Sequence, residues 1–295
     1  MGKEHYRRLS LTGIDVASYS LAQQRALARD ILDTKIHGLS FSPYLEGQGP
    51  GTQLGDAQIR ERLAIVAPHV RWIRTFSCTE GNERIPAIAA EYGLKTMVGI
   101  WLGEDRDKNE IELSAGCELA SAGYADILAV GNEVLLRGDM GADDLIDYMT
   151  RAKMTVPQVE VGYVDAYFNF REYPQVTEVC DVVLANCYPF WEGCVAEHAL
   201  LYMKEMYRIA ARCANGKRVI ISETGWPTAG TPTDGATPSY EHALKYFIDT
   251  YQWAEEDGIE VFYFAAFDEA WKTDKEGDVG AYWGLWDKDG KPKYA

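Results

Sequence analysis

Two glutamates close strand-like apolar runs in this chain. Glu133 ends Ile-Leu-Ala-Val-Gly-Asn-Glu (Ile127 to Glu133), and Glu223 ends Arg-Val-Ile-Ile-Ser-Glu (Arg218 to Glu223). Runs of this kind are what a parallel sheet buries on both faces. In a (β/α)8 barrel the C-terminal ends of such strands form the active-site rim. Two rim carboxylates with aromatic side chains around them point to glycoside hydrolysis. In the retaining form, one carboxylic acid protonates the departing oxygen and later activates water, the role expected of Glu133. The other carboxylate attacks the anomeric carbon and must stay ionised, the role expected of Glu223. A lone glutamate at either place would read as a loop ion pair or a helix N-terminal carboxylate.

The neighbours of the two acids supply candidate binding groups. Asn132, beside Glu133, could hydrogen-bond a sugar 2-hydroxyl. Tyr188, in the run Asn186 to Trp191, could donate to Glu223 and keep it unprotonated. Phe190, Trp191 and Trp226 are candidate platforms for the apolar C–H faces of glucose rings, with core packing as the alternative for each. Glu269 and Lys272, at the end of a further run, could grip hydroxyls, tune the catalytic pair, or form a plain ion pair.

These residues need a scaffold, and the chain shows eight strand-like runs: His37 to Tyr44, Val70 to Cys78, Lys95 to Gly103, Ile127 to Val134, Val159 to Tyr167, Val182 to Phe190, Arg218 to Trp226 and Glu260 to Asp268. Helix-like segments lie between them at Gln58 to Val66, Asn82 to Tyr92, Asn109 to Ala122, Ala142 to Lys153, Ala196 to Ala214 and Ser239 to Asp257. Gly93, Gly123, Gly216 and Gly258 each follow a periodic run at the left-handed C-cap position. Alternation of strand and helix implies a parallel sheet with right-handed crossovers, and eight units favour a closed barrel. The fold class is therefore α/β, a (β/α)8 TIM barrel, with residues 1–295 as one catalytic domain. Residues 1–35 form an N-terminal helical extension, packed across the barrel bottom or standing in for the helix after the last strand, since the chain after Trp286 is too short for one. No Gly-x-Gly-x-x-Gly follows the first strand and no Walker A sequence occurs, which weakens a nucleotide-binding reading.

Composition narrows the partners. The net charge of -16 argues against nucleic acid, anionic membranes and polyanionic substrates. No apolar run is long enough for a transmembrane helix, so membrane insertion is not expected. Met1 to Arg8 is not followed by the apolar core of a secretory leader. Six cysteines in 295 residues, without Cys-x-x-Cys or Cys/His spacing, read as small buried thiols, and no metal or cofactor is expected.

Taken together the motifs resemble glycoside hydrolase family 17, the β-1,3-glucanases and related glucanosyltransferases. Ser42-Pro43-Tyr44 resembles the end of the family's first strand, and Arg74-Thr75-Phe76 its second-strand motif. Val130 to Val134 resembles the acid/base motif, Asn186 to Phe190 the Asn-x-Tyr-Pro motif, and Ser222 to Pro227 the nucleophile motif. Phe267 to Lys272 and Tyr282 to Trp286 resemble the C-terminal signature. The resemblance implies a retaining mechanism on β-1,3-glucan or its oligosaccharides through Glu133 and Glu223, with no metal or organic cofactor. It adds Tyr44 and Arg74 to the substrate-binding candidates. Trp271, with Trp191 and Tyr282, could hold an acceptor, so that transfer to a sugar hydroxyl competes with hydrolysis. The plant members carry a glutamate shortly before the last Trp-Gly. Here that stretch reads Val279-Gly280-Ala281-Tyr282, with Glu276 and Asp278 upstream and no site role assigned to either. Such departures resemble bacterial members, some of which transfer glucan, and the family implies an extracellular or periplasmic setting. A non-catalytic sugar-binding barrel would be expected to lack one of the acids. An aldolase would need a strand-borne lysine, and none stands out in the eight runs.

Overall fold

The computed structural model describes residues 18–294. Helix α1 (Leu21–Asp33) is followed by β1 (Ile36–Ser40), α2 (Asp56–Val66), β2 (Val70–Arg74), α3 (Ile85–Glu91), β3 (Lys95–Ile100), α4 (Arg106–Ser121) and β4 (Ile127–Asn132). Then come α5 (Val134–Arg137), α6 (Ala142–Thr155), β5 (Glu160–Ala166), α7 (Asn169–Glu172), α8 (Pro174–Val179), β6 (Val182–Asn186) and α9 (Ala199–Cys213). The last elements are β7 (Arg218–Thr224), α10 (Tyr240–Asp257), β8 (Val261–Tyr263) and α11 (Thr273–Glu276). The eight strands are parallel neighbours in chain order, and β8 pairs with β1 to close a (β/α)8 barrel.

Each strand-like run holds one observed strand, with β1 starting one residue ahead of its run at Ile36, and each strand stops short of the end of its run. The ladder ends where the backbone turns into the rim loops, although the residues there stay apolar and buried. At β4 this turn is sharp: Gly131 has φ +81° and Glu133 φ +53°. A positive φ is uncommon for a residue with a Cβ and needs support from its surroundings. The Glu133 N–H donates to the Val164 carbonyl of β5 at 2.8 Å, which anchors it. Between β5 and β6 the sequence pattern shows no helix, whereas the fold places two short ones. Pro174 disfavours a continuous helix through Tyr173, so neither piece is long enough to display a period.

Helix α1 begins at a capping box, Ser20 with Gln23, and packs along α10 and the turn before β2. Arg25 Nε donates to the Tyr240 hydroxyl at 2.8 Å. The helix thus lies beside the helix that follows β7. Residues 1–17 of the expected extension lie outside the described residues. The chain after β8 instead runs back over the barrel edge, where Tyr294 packs on Tyr240 and Phe247.

The barrel interior is filled by Met97, Ile127, Ala129, Val164, Val182, Leu184, Ile220 and Phe262, with Trp72 against them. Gly38 of β1 sits opposite Phe262 of β8, and a Cβ there would lie 2.6 Å from the ring. Glycine is what lets this ring plug the interior. Of the six cysteines, Cys78, Cys117, Cys180 and Cys187 are buried, Cys194 and Cys213 partly so, and all are free thiols. Among the described residues no helix is long and apolar enough to cross a membrane.

Replacing Phe262 by alanine should cost about 3–5 kcal/mol through the cavity it leaves. Denaturant unfolding measures this, and a loss below about 1 kcal/mol would show that the ring does not plug the interior.

Candidate active site

At the C-terminal mouth of the barrel lies a cleft of about 310 Å³ lined by Glu133, Glu223, Asn186, Tyr188, Phe264 and Glu276, with Leu136, Ala166, Tyr167, Phe168, Trp191 and Glu192. Glu133 and Glu223, which lie far apart in the chain, therefore share one cavity.

Glu223, the last residue but one of β7, is almost wholly buried. Arg74, fully buried at the end of β2 across the barrel, donates Nη1 to Glu223 Oε1 at 2.6 Å. The Tyr188 hydroxyl donates to Oε2 at 2.8 Å. Burial and the Glu223 charge push the Tyr188 phenol well above its usual range, so it remains a donor. Arg74 Nη2 also donates to Asn132 Oδ1 at 2.7 Å, and its guanidinium lies over the Phe76 ring. One cation thus ties the Glu223 carboxylate to the residue beside Glu133.

Glu133 has a different environment. Its Oε1 accepts from Asn186 Nδ2 at 2.8 Å. Asn186 is oriented in turn by Ser222, whose hydroxyl donates to Asn186 Oδ1 at 2.8 Å. Burial pushes the Glu133 carboxyl up to about 7, the negative charge of Glu223 adds to this, and Asp165 contributes further. The Asn186 hydrogen bond and Arg74 oppose the shift without cancelling it. A carboxyl poised near neutrality beside a carboxylate clamped by an arginine is the pairing that acid/base and nucleophilic work require.

The remaining expectations divide. Trp191 is 39% exposed and stands at the lip of the cleft, where a sugar face can reach it. Phe190 and Trp226 are corrected from platforms to core: they are 0% and 1% exposed. The loops after β6 and β7 fold onto each other there. Phe190 packs on Trp226, Trp191 and Trp283, and the Trp226 indole donates to the Thr237 carbonyl at 3.1 Å. Tyr44 and Trp271 meet edge-to-face at 6.0 Å outside the cleft lining. Trp271 Nε1 donates to Glu269 Oε1 at 3.0 Å, and Lys272 Nζ lies 2.5 Å from Glu269 Oε2. Glu269 and Lys272 thus form a buried ion pair. Lys272 also sits 3.8 Å from the centre of Phe264, a wall of the cleft, so it stands behind that wall.

Several groups escaped the sequence reading. Asn186 and Ser222 were seen only as motif letters, although each is a polar residue closing or interrupting a buried apolar run. Asp165 is fully buried in β5 and accepts from the Tyr163 hydroxyl and the Ala166 N–H. A carboxylate inside the run Val159 to Tyr167 was the available signal. Glu276 enters the cleft from α11, a four-residue helix with no sequence period.

The closed barrel and its paired acids define a glycoside hydrolase. Residues 38–284 match the family described as BtgE/BtgC glycoside hydrolase domain, and the chain belongs to that family. A glucan 1,3-beta-glucosidase of Arthroderma benhamiae is 28% identical over 249 residues, covering 77% of this chain and 80% of that protein. A glucan 1,3-beta-glucosidase of Saccharomyces cerevisiae is 27% identical over 278 residues, 83% of this chain and 86% of that protein. The glycoside hydrolase family 17 β-1,3-glucanosyltransferase of Rhizomucor miehei superposes with a TM-score of 0.78 at 27% identity, covering 88% of this chain and 96% of that one. Its active-site mutant has been solved with laminaritriose. An endo-laminarinase from Formosa Hel1_33_131 shares the fold, with a TM-score of 0.77 at 19% identity over 90% of this chain and 86% of that one.

Replacing Arg74 by methionine should destabilise the protein by about 3–5 kcal/mol, because it strands a buried carboxylate. Adding Glu223→Gln removes that charge and should recover much of the loss. Thermal or denaturant melts of the single and double variants check this; strictly additive losses would mean that the two side chains are not coupled.

Proposed function

We propose that the protein is a retaining glycoside hydrolase acting on β-1,3-glucan or β-1,3-gluco-oligosaccharides, with Glu223 as nucleophile and Glu133 as acid/base. The reading rests on one observation above all: two glutamates in one cleft, one clamped by Arg74 and Tyr188, the other pushed up to about 7 by burial and by its neighbour's charge. In the first step Glu223 attacks the anomeric carbon while protonated Glu133 gives its proton to the leaving glycosidic oxygen. In the second, Glu133, now ionised, takes a proton from water as the water displaces Glu223. Asn186 and Ser222 hold the Glu133 carboxyl in line during both steps. The substrate class is supported by the glucan 1,3-beta-glucosidase relatives and by the laminaritriose complex of the Rhizomucor enzyme. The net charge of -16 fits a neutral polymer.

Transfer to a sugar hydroxyl is the second reading. The similarity to the Rhizomucor glucanosyltransferase favours it, as does the lip of Trp191, Tyr167, Phe168 and Leu136, which can seat an acceptor and exclude water. Trp271, offered as an acceptor holder, lies away from that lip.

Incubation with a β-1,3-gluco-oligosaccharide of defined length separates the two by mass spectrometry. Only shorter products indicate hydrolysis, and products longer than the substrate indicate transfer. The first-formed product should be the β-anomer by NMR; an α-anomer would exclude retention. Because Glu133 must be protonated for the first step, kcat/KM should fall as pH rises through about 7. Glu133→Ala should lose this limb on an aryl glycoside with a good leaving group, and should slow natural glucan far more than that substrate.

A further inference from the structure

Glu133 stands at the N-cap of α5, yet its side chain makes no capping hydrogen bond. An N-cap side chain ordinarily accepts from the N–H of the second or third residue of the helix. A glutamate doing so would be held on its own backbone, and the N–H donor and the helix end would favour its ionised form. Here the Glu133 carboxyl turns to Asn186 in the cleft. The N–H of Leu135, the second residue of α5, donates to the Tyr163 hydroxyl at 3.0 Å. A side chain from β5 has thus taken over the cap.

The surroundings of Tyr163 fit that duty. It is 1% exposed, and its ring lies against Gly131, where a Cβ would come within 3.3 Å of it. The turn that carries Glu133 therefore passes closely over the ring. A tyrosine hydroxyl both donates and accepts. The Tyr163 proton goes to Asp165 Oδ2, which leaves the oxygen free to accept from Leu135. Asp165 is itself fully buried, and its Oδ1 accepts from the Ala166 N–H at 2.7 Å. Burial and the Asp165 charge push the Tyr163 phenol above its usual range, so it remains a donor. Burial also raises the Asp165 carboxyl, opposed by Tyr163, Asn169, the Ala166 N–H and Arg137. The charged groups facing Glu133 are Glu223 from β7, Asp165 from β5 and Arg74 from β2; the two acids raise its carboxyl and the arginine lowers it.

We infer that Tyr163 and Asp165 are positioning residues for Glu133: the Tyr163 hydroxyl, aimed by Asp165, caps α5 in place of the Glu133 side chain and frees that carboxyl to serve the leaving oxygen. This rests on the reading of Glu133 as the acid/base.

The test compares kcat/KM on a β-1,3-gluco-oligosaccharide with kcat/KM on an aryl glycoside that has a good leaving group. Tyr163→Phe keeps the ring and removes the cap. It should lower kcat/KM on the oligosaccharide about 10- to 100-fold, the loss that a misplacement of about 1 Å produces. The aryl glycoside should lose far less, because its leaving oxygen needs little protonation. Equal losses on both substrates, as from a residue that only holds the barrel together, would overturn the inference, as would unchanged kinetics. Asp165→Asn keeps the side chain's size and removes its charge. It should move the high-pH fall of kcat/KM to lower pH, since one of the charges that raise Glu133 is gone. This variant carries the test if Tyr163→Phe folds poorly, and an unmoved fall would overturn the role given to Asp165. Each of these failures leaves the proposed function standing. An unaltered protein that leaves every β-1,3-oligosaccharide intact would overturn the proposed function and this inference with it.

Discussion

A carboxylate taken out of water loses its hydration, and the loss is tolerable only if a cation and hydrogen-bond donors replace it. Glu223 meets this condition through Arg74 and Tyr188, which occupy its two oxygens. Arg74 comes from β2 and Glu223 from β7, so the ion pair crosses the barrel mouth as well as neutralising a charge. The second arm of the same guanidinium holds Asn132, the residue before Glu133. Moving Arg74 would therefore disturb both acids. The rise of the Glu133 carboxyl to about 7 depends in part on this constraint, because the Glu223 charge that contributes to it is fixed nearby.

Around this centre the aromatic side chains take two separate duties. Phe190 and Trp226 are buried beneath the lip, edge-on to each other, with Phe190 edge-on to Trp283 and Trp226 tilted against Tyr246, and they stiffen the loops after β6 and β7. Trp191 rests on that layer with part of its surface free. A supported aromatic loses little freedom when a sugar packs on it, which is why a rigid floor serves a binding lip. The ion pair of Glu269 and Lys272 is buried beside the Phe264 ring and is not among the side chains that line the cleft.

Much of this was legible along the chain because barrel strands are short buried runs separated by amphipathic helices. The starts of all eight runs lie close to those of the strands, and Glu133 and Glu223 were marked by ending such runs. The strands end before the apolar runs do, because burial continues into the rim after the ladder stops. Helices α7 and α8 left no period to read. Asn186, Ser222 and Asp165 were hidden because their importance depends on register. Asn186 pairs with Glu223 across β6 and β7, and only that pairing brings Ser222 beneath its amide and its amide onto Glu133.

By itself, then, the sequence determined the barrel, its closure by eight units and the two acids at its mouth, since periodicity and strand-end position are local properties of the chain. Tertiary structure alone decided which groups face those acids. It set Arg74 against Glu223, sank Phe190 and Trp226 into the core, and turned Glu276 rather than Asp278 into the cleft. These outcomes depend on how loops from different strands pack together, and residues far apart in sequence carry no local mark of that packing.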